Sequence, residues 1–187
     1  MDKFLIVTNQ DKDKDLSVTK EIQRYIHERG RECQLADPLI GTNPVETGYT
    51  DMTKLQEDID CVIVLGGDGT FIQTVRDFAG LDIPLVGVNM GTVGFLTTIE
   101  LDDLYSGLDA LIDGEYTIQN RMLLRGTVYR DGRRLQKSIA FNDVIVTRSG
   151  FSRIVELKIY VNDQLVDIYA ADGVIISTPA GSTGYNL

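Results

Sequence analysis

Five residues, Gly66-Gly67-Asp68-Gly69-Thr70, set a single carboxylate among three glycines. With no side chains crowding Asp68, backbone N–H groups and the start of a following helix can face an anion at close range. That environment suits a phosphate. Asp68 would itself repel a phosphate, so its presence implies either a magnesium ion bridging it to phosphates or a hydroxyl to be oriented and deprotonated. Aspartate is a weak base, but phosphoryl transfer through a loose transition state asks mainly for positioning and electrostatic support. A tight turn alone needs fewer glycines than precede this acid.

Other reactive arrangements are missing. No GxxxxGK[ST] occurs, and Asn-Met-Gly-Thr-Val-Gly at 89–94 lacks the spacing of a dinucleotide fingerprint. Ala-Gly-Ser-Thr-Gly at 180–184 is not a nucleophile elbow. The one histidine, His27, falls in an early helical stretch, which leaves a serine triad without a base and excludes most zinc sites. Asp-Lys-Asp-Lys-Asp at 11–15 lacks the glycine and the distal glutamate of a calcium loop, since Leu16 and Ile22 stand in those places. It reads as a solvated, charged turn.

The elements around Asp68 alternate. Residues 61–65 are a short β-branched run suited to a buried parallel strand, and 70–80 carry Phe71, Val75, Phe78 and Ala79 on one helical face before Gly80. Ligands bind at such strand-to-helix junctions in open α/β sheets. Residues 4–7 read as a first strand. A helix on Leu16, Val18, Ile22, Tyr25 and Ile26 follows and ends at Gly30. Residues 36–53, with two prolines and two glycines, form a long connection and a candidate mobile loop. Residues 84–88 make another apolar strand, and 101–113 hold Leu101, Leu104, Tyr105, Leu108, Leu111 and Ile112 at helical spacing before Gly114. From residue 120 the pattern turns to antiparallel β. A hairpin over 123–129 and 134–146 is joined by Asp131-Gly132, and a later strand over 155–161 ends at the turn Asn162-Asp163. Two domains are therefore expected, an α/β domain over 1–119 and an incomplete antiparallel all-β domain over 120–187.

Composition narrows the partners. The chain has 28 acidic and 18 basic residues and a net charge of −10, which argues against a nucleic-acid or membrane-surface binder. A phosphate ligand must then be held by local dipoles, a few basic groups or a metal. Cys33 and Cys61 lie in apolar contexts and read as reduced core residues. With no spanning segment and no signal-peptide pattern, a cytoplasmic protein is expected.

Four stretches in order, GGDGT at 66–70, NMGTVGFLT at 89–97, FND at 141–143 and DGVIISTPAGSTGY at 172–185, together resemble the NAD kinase family. The first alone is weakly specific, because diacylglycerol-type lipid kinases and phosphofructokinases carry similar stretches. The likeness runs from about residue 62 to the end of the chain, and residues 1–60 add only a compatible strand and helix. The resemblance implies a phosphofructokinase-like first domain and a metal-dependent phosphotransferase with an alcohol acceptor. Phosphate would pass from ATP, or in some members inorganic polyphosphate, to the 2′-hydroxyl of the adenosine ribose of NAD, giving NADP. Asp68 would face that hydroxyl as the catalytic acid group, with Gly66, Gly67, Gly69 and Thr70 as the phosphate loop. NAD would also be contacted by Gly69, by Phe95 near the adenine, and by the pair Asn142 and Asp143. Asp172 would lie by the nicotinamide, and Thr183 and Tyr185 would help wall the pocket. Mg2+ or another divalent cation is expected with ATP, its ligands left open, and a homodimer or homotetramer is expected.

Several of these residues have plainer readings: Asn142 as a strand-end turn, Phe95 as a core aromatic, Tyr185 as an exposed terminal residue. Arg121, Arg148 and Arg153 could meet phosphates or simply solvate a surface. Ala180 and Gly184 stand where many family members have other small residues, which removes a hydroxyl from the adenine end. Members of the family run on beyond the point where this sequence stops, so residues 1–187 alone are expected to be inactive or poorly stable. The rival functions are a lipid or diacylglycerol kinase sharing GGDG and a non-catalytic NAD-binding fragment.

Overall fold

The structure is a computed structural model, and the residues it describes are 1–37, 50–55, 58–91, 94–150 and 154–184. The chain divides into two compact units, Met1–Gln119 and Asn120–Leu187.

The first unit is built on five parallel strands, β1 (Lys3–Thr8), β2 (Glu32–Leu35), β3 (Cys61–Gly66), β4 (Leu85–Asn89) and β5 (Ile99–Glu100). Their order across the sheet is β2-β1-β3-β4-β5. Alternate residues of a strand point to opposite faces, and both faces here are covered. Phe4 and Ile6 of β1 and Ile63 and Leu65 of β3 pack with Ile22, Ile26, Leu104, Leu108 and Leu111 on one face. Leu5, Val7, Val62 and Val64 pack with Phe71 and Phe78 on the other. Full burial of such a side chain contributes roughly 1.5–3 kcal/mol, the figure that applies to Leu5, Ile6, Ile22, Ile26, Val62, Ile63, Val64 and Leu65.

The first face is closed by α1 (Ser17–Glu28) and α3 (Leu104–Asp113). Tyr25 donates to Asp109 at 2.9 Å and Arg29 pairs with the same carboxylate at 2.6 Å, tying the two helices at their surface. Gly114, at φ 82°, ends α3 in the left-handed conformation that glycine adopts without strain. Leu101 lies outside that helix, in a 3-10 turn over Leu101–Asp103, and is half exposed. The second face is closed by α2 (Asp68–Asp77), which begins two residues earlier than the apolar spacing predicts. Gly67 is its extended N-cap, so Asp68 falls inside the first turn of the helix.

In the second unit, β6 (Leu124–Arg130) and β7 (Arg133–Ala140) form the expected hairpin. Asp131 and Gly132, at φ 50° and 73°, supply its turn. The second strand stops at Ala140 rather than running on to 146. Phe141 is buried there, and the Asn142 carbonyl accepts the Thr178 N–H at 2.7 Å, which turns the chain out of the hairpin. A separate strand, β8 (Asp143–Thr147), pairs instead with β11 (Gly173–Ser177). Strands β9 (Val155–Val161) and β10 (Gln164–Ala171) form the remaining antiparallel pair, with Asn162 and Asp163 at positive φ in the turn.

Both cysteines are buried free thiols. Among the described residues no helix is long and apolar enough to cross a membrane. Most of the long connection expected over 36–53, residues 38–49, lies outside the described residues.

Candidate active site at the carboxyl ends of the parallel strands

The chain leaves β1 for β2 on one side and returns to β3 on the other, so the strand order reverses between β1 and β3. In open α/β sheets ligands bind in the crevice outside such a reversal, at the carboxyl ends of the strands. A cavity of about 880 Å³ opens there in the first unit. Its walls include Thr8 at the end of β1, Asn9 and Lys12 after it, and Gly67, Asp68 and Thr70 at the start of α2. No side chain caps α2, so the positive end of a ten-residue helix meets the cavity.

Asp68 is half-buried, and its carboxylate is held by main-chain groups beyond β4. The Phe95 N–H donates to Oδ2 at 2.9 Å and the Leu96 N–H to Oδ1 at 3.0 Å. The close approach depends on Gly94, because a Cβ there would stand 2.3 Å from Asp68 Oδ1. The stretches 66–70 and 89–97, far apart in sequence, are thus locked together through the acid. Phe95 itself is 89% exposed, so it is not a core aromatic.

The glycines of the 66–70 stretch serve different ends. Gly66 is buried at the end of β3, where a Cβ would press on the Thr70 hydroxyl oxygen at 2.5 Å. Thr70 in turn accepts from Asn9 Nδ2 at 2.9 Å, which joins the loop after β1 to the first turn of α2. Gly69 is exposed on the cavity wall with open space around it.

The charged segment 11–15 departs from the solvated turn expected of it. Asp13 is only 3% exposed and clasps the start of α1. Its Oδ2 accepts from the Thr19 N–H at 2.9 Å and the Thr19 hydroxyl at 2.6 Å, and its Oδ1 from the Val18 N–H and the Ser17 hydroxyl. Burial alone would raise the Asp13 carboxyl, but the hydrogen bonds from Thr19, Val18 and Ser17 outweigh it and hold the group below its ordinary value. Two lysines and three aspartates in a row gave no hint that one acid folds inward; the threonine and serine downstream, able to donate to it, were the available signal.

That clasp also positions Lys12. A Cβ on Gly67 or on Gly91 would stand 3.0 Å from the Lys12 ammonium nitrogen, so the cation fills space that both glycines leave open. Nothing in the spacing of Lys12 links it to residue 67, so no sequence motif marks it.

The remaining expected residues belong to the second unit. Asn142 and Asp143 are half-buried at the start of β8, and Thr183 is exposed. Asp172 is exposed, but its Oδ1 takes Arg148 Nε at 2.6 Å, so Arg148 is neutralised within its own unit and is no open phosphate ligand. Arg121 is exposed ahead of β6. Tyr185 and Arg153 lie outside the described residues. No group of three or more metal-binding side chains occurs among the described residues.

Comparison with known proteins bears directly on this geometry. A family model described as the ATP-NAD kinase N-terminal domain matches residues 4–116, and one described as the ATP-NAD kinase C-terminal domain matches residues 141–187. The chain belongs to the ATP-NAD kinase family. The NAD kinase of Lachnoclostridium phytofermentans is 43% identical over 189 residues, a match covering 100% of this chain and 65% of that protein. The NAD kinase of Lachnospira eligens is 41% identical over 184 residues, covering 98% of this chain and 63% of its own length. The chain therefore spans somewhat under two thirds of the length of these relatives. Among solved structures, yeast NADH kinase complexed with NADH aligns over 100% of this chain and 60% of its own, with a TM-score of 0.67 at 20% identity. An NAD kinase from Archaeoglobus fulgidus in complex with ATP aligns over 98% and 64%, with a TM-score of 0.68 at 20% identity. At that identity the likeness establishes the family's fold.

Proposed function

We propose that this protein transfers the terminal phosphoryl group of ATP, or of inorganic polyphosphate, to the 2′-hydroxyl of the adenosine ribose of NAD. The observation that carries the reading is Asp68, fixed by two main-chain N–H groups beside a cavity of about 880 Å³, at the uncapped end of α2. The relatives support it by name, being NAD kinases, and the structural neighbours by the NADH and ATP with which they were solved.

In this reading the acceptor hydroxyl lies against Asp68, whose plane is already set by the 95–96 backbone. The hydroxyl oxygen forms a bond to the terminal phosphorus as the bridging bond of the donor breaks. The bonding pair leaves with ADP, and the hydroxyl proton passes to Asp68. Little proton abstraction is needed early in a loose transition state, so orientation by the carboxylate is its main contribution. The first turn of α2 faces the negative charge of the phosphates. Asp68, one of three carboxylates on the cavity wall, would be the residue to hold a divalent cation, a hard ion that would need no cage of protein ligands beside a phosphate donor. When bound, it neutralises charge on the donor.

The roles of Gly69, Phe95, Asn142, Asp143, Asp172, Thr183 and Tyr185 as NAD contacts belong to the same proposal, as do a cytoplasmic setting and a homo-oligomer. The exposed ring of Phe95 supports an aromatic contact with adenine. Incubating the full-length protein with ATP and either NAD or diacylglycerol tests the reading. NADP, detected by an NADP-specific dehydrogenase, should form from NAD; phosphorylation of diacylglycerol with no NADP would refute it.

A further inference from the structure

We propose that Lys12 holds the phosphate chain of the donor, gripping the non-bridging oxygens that ATP and inorganic polyphosphate have in common. This rests on the phosphoryl-transfer reading of the Asp68 site and adds to it the group that binds the donor.

Three observations converge on this side chain. Its ammonium nitrogen stands 3.0 Å from where a Cβ would project from Gly67 and from Gly91, so it sits over the residue that opens α2, one position from Asp68. It lines the cavity with the carboxylates Asp11, Asp37 and Asp68, yet it makes no ion pair among the described residues. Asp37, by contrast, is paired with Lys54 at 3.2 Å. A lysine with a structural purpose would be expected to pair with one of these acids. The third observation is the loop itself. Lys12 and Asp13 both donate their N–H groups to the Asn9 carbonyl, at 3.0 and 3.1 Å, and the next side chain along is the buried Asp13 clasp on α1. The backbone that carries the ammonium is thereby held in place at the cavity wall.

Chemistry selects the ligand. A cavity in a chain of net charge −10, walled by three carboxylates, disfavours any polyanion unless a local positive group offsets them. Lysine is a compact point charge with three donors, suited to a flexible run of phosphates rather than to one planar carboxylate.

The test is calorimetric titration of the full-length protein, without NAD, against sodium tripolyphosphate, ATP and adenosine. Lys12→Met should weaken tripolyphosphate and ATP alike by about tenfold, Lys12→Arg should keep most of the affinity, and adenosine binding should not change. Because Lys12 is exposed, both variants should melt like the parent protein. Unchanged tripolyphosphate affinity in Lys12→Met, failure of the parent protein to bind tripolyphosphate, or a loss for adenosine equal to that for ATP would overturn the assignment. NADP formation by the same preparation separates the two ideas. Its absence removes the phosphotransfer reading, whereas the tripolyphosphate titrations decide the role of Lys12 by themselves.

Discussion

At Asp68 both carboxylate oxygens are hydrogen-bonded to main-chain N–H groups at positions 95 and 96, which sets the plane of the acid without any help from a ligand. Side chains that rotate freely must be ordered at the moment of reaction, and this one need not be. The arrangement tolerates no Cβ at residue 94. Gly94→Ala would put a methyl group 2.3 Å from Asp68 Oδ1, and either the carboxylate or the 94–96 backbone must move. A misplacement of about 1 Å near the reacting atoms costs on the order of a hundredfold in rate. We expect Gly94→Ala to lower kcat by about ten- to a hundredfold, with circular dichroism like that of the parent protein. An unchanged kcat would show that the Gly94 contact does not govern the orientation of the acid.

At the scale of elements, the start of α1 depends on a buried aspartate rather than on an N-cap side chain, since Leu16 occupies the cap position and makes no side-chain hydrogen bond. Asp13→Ala leaves the Val18 and Thr19 N–H groups without their acceptor. The expected cost is about 1–3 kcal/mol, read from denaturant unfolding of the variant against the parent protein at pH 7. The folded-state pKa of Asp13 lies below its ordinary value of 3.8, so its contribution is complete above that value and fades as pH falls through the folded pKa. The stability gap between parent and variant should therefore close on acidification below about pH 4. A gap that widened in acid would contradict the hydrogen-bonding account.

The same scale shows what a sequence can reveal. Strands β1, β3 and β4 were legible because they are continuous apolar runs buried on both faces, and Asp131-Gly132 was legible because a two-residue turn demands positive φ. Strands β2 and β5 were not. One has Glu32 and Gln34 among its four residues at the sheet edge and the other is two residues long, so neither carries a usable period. The hairpin strand ends earlier than its apolar pattern suggests, because Phe141 continues that pattern while the carbonyl of Asn142 accepts from Thr178. Within the candidate site, Asp68 and its glycines were readable from local chemistry. Lys12 and the clasp of Asp13 were not, because each depends on contacts made only after the loop beyond β1 meets α2 and α1.

At the scale of the whole molecule, the two thiols report on the integrity of the first unit. Burial pushes Cys33 and Cys61 each up to about 12, leaving almost no thiolate near neutrality. Iodoacetamide at pH 8 should label both only at the rate at which the parallel sheet opens, and rapid labelling of the native protein would contradict the packing described for β2 and β3. The second unit behaves differently. Tyr160, Val161, Leu165, Val166 and Ile168 are all exposed on the paired strands β9 and β10, large apolar side chains that association would cover. This chain of 187 residues should self-associate on size-exclusion chromatography with light scattering; a well-behaved monomer would count against this.

The most direct test is the Asp68→Asn variant of the full-length protein, assayed for NADP formation and for NAD affinity side by side. Asparagine keeps the size of the side chain and removes its charge and its capacity to take the hydroxyl proton. The account predicts that NADP formation falls by about a hundredfold or more while NAD binding stays within a few-fold of the parent protein. Turnover retained in Asp68→Asn would contradict it.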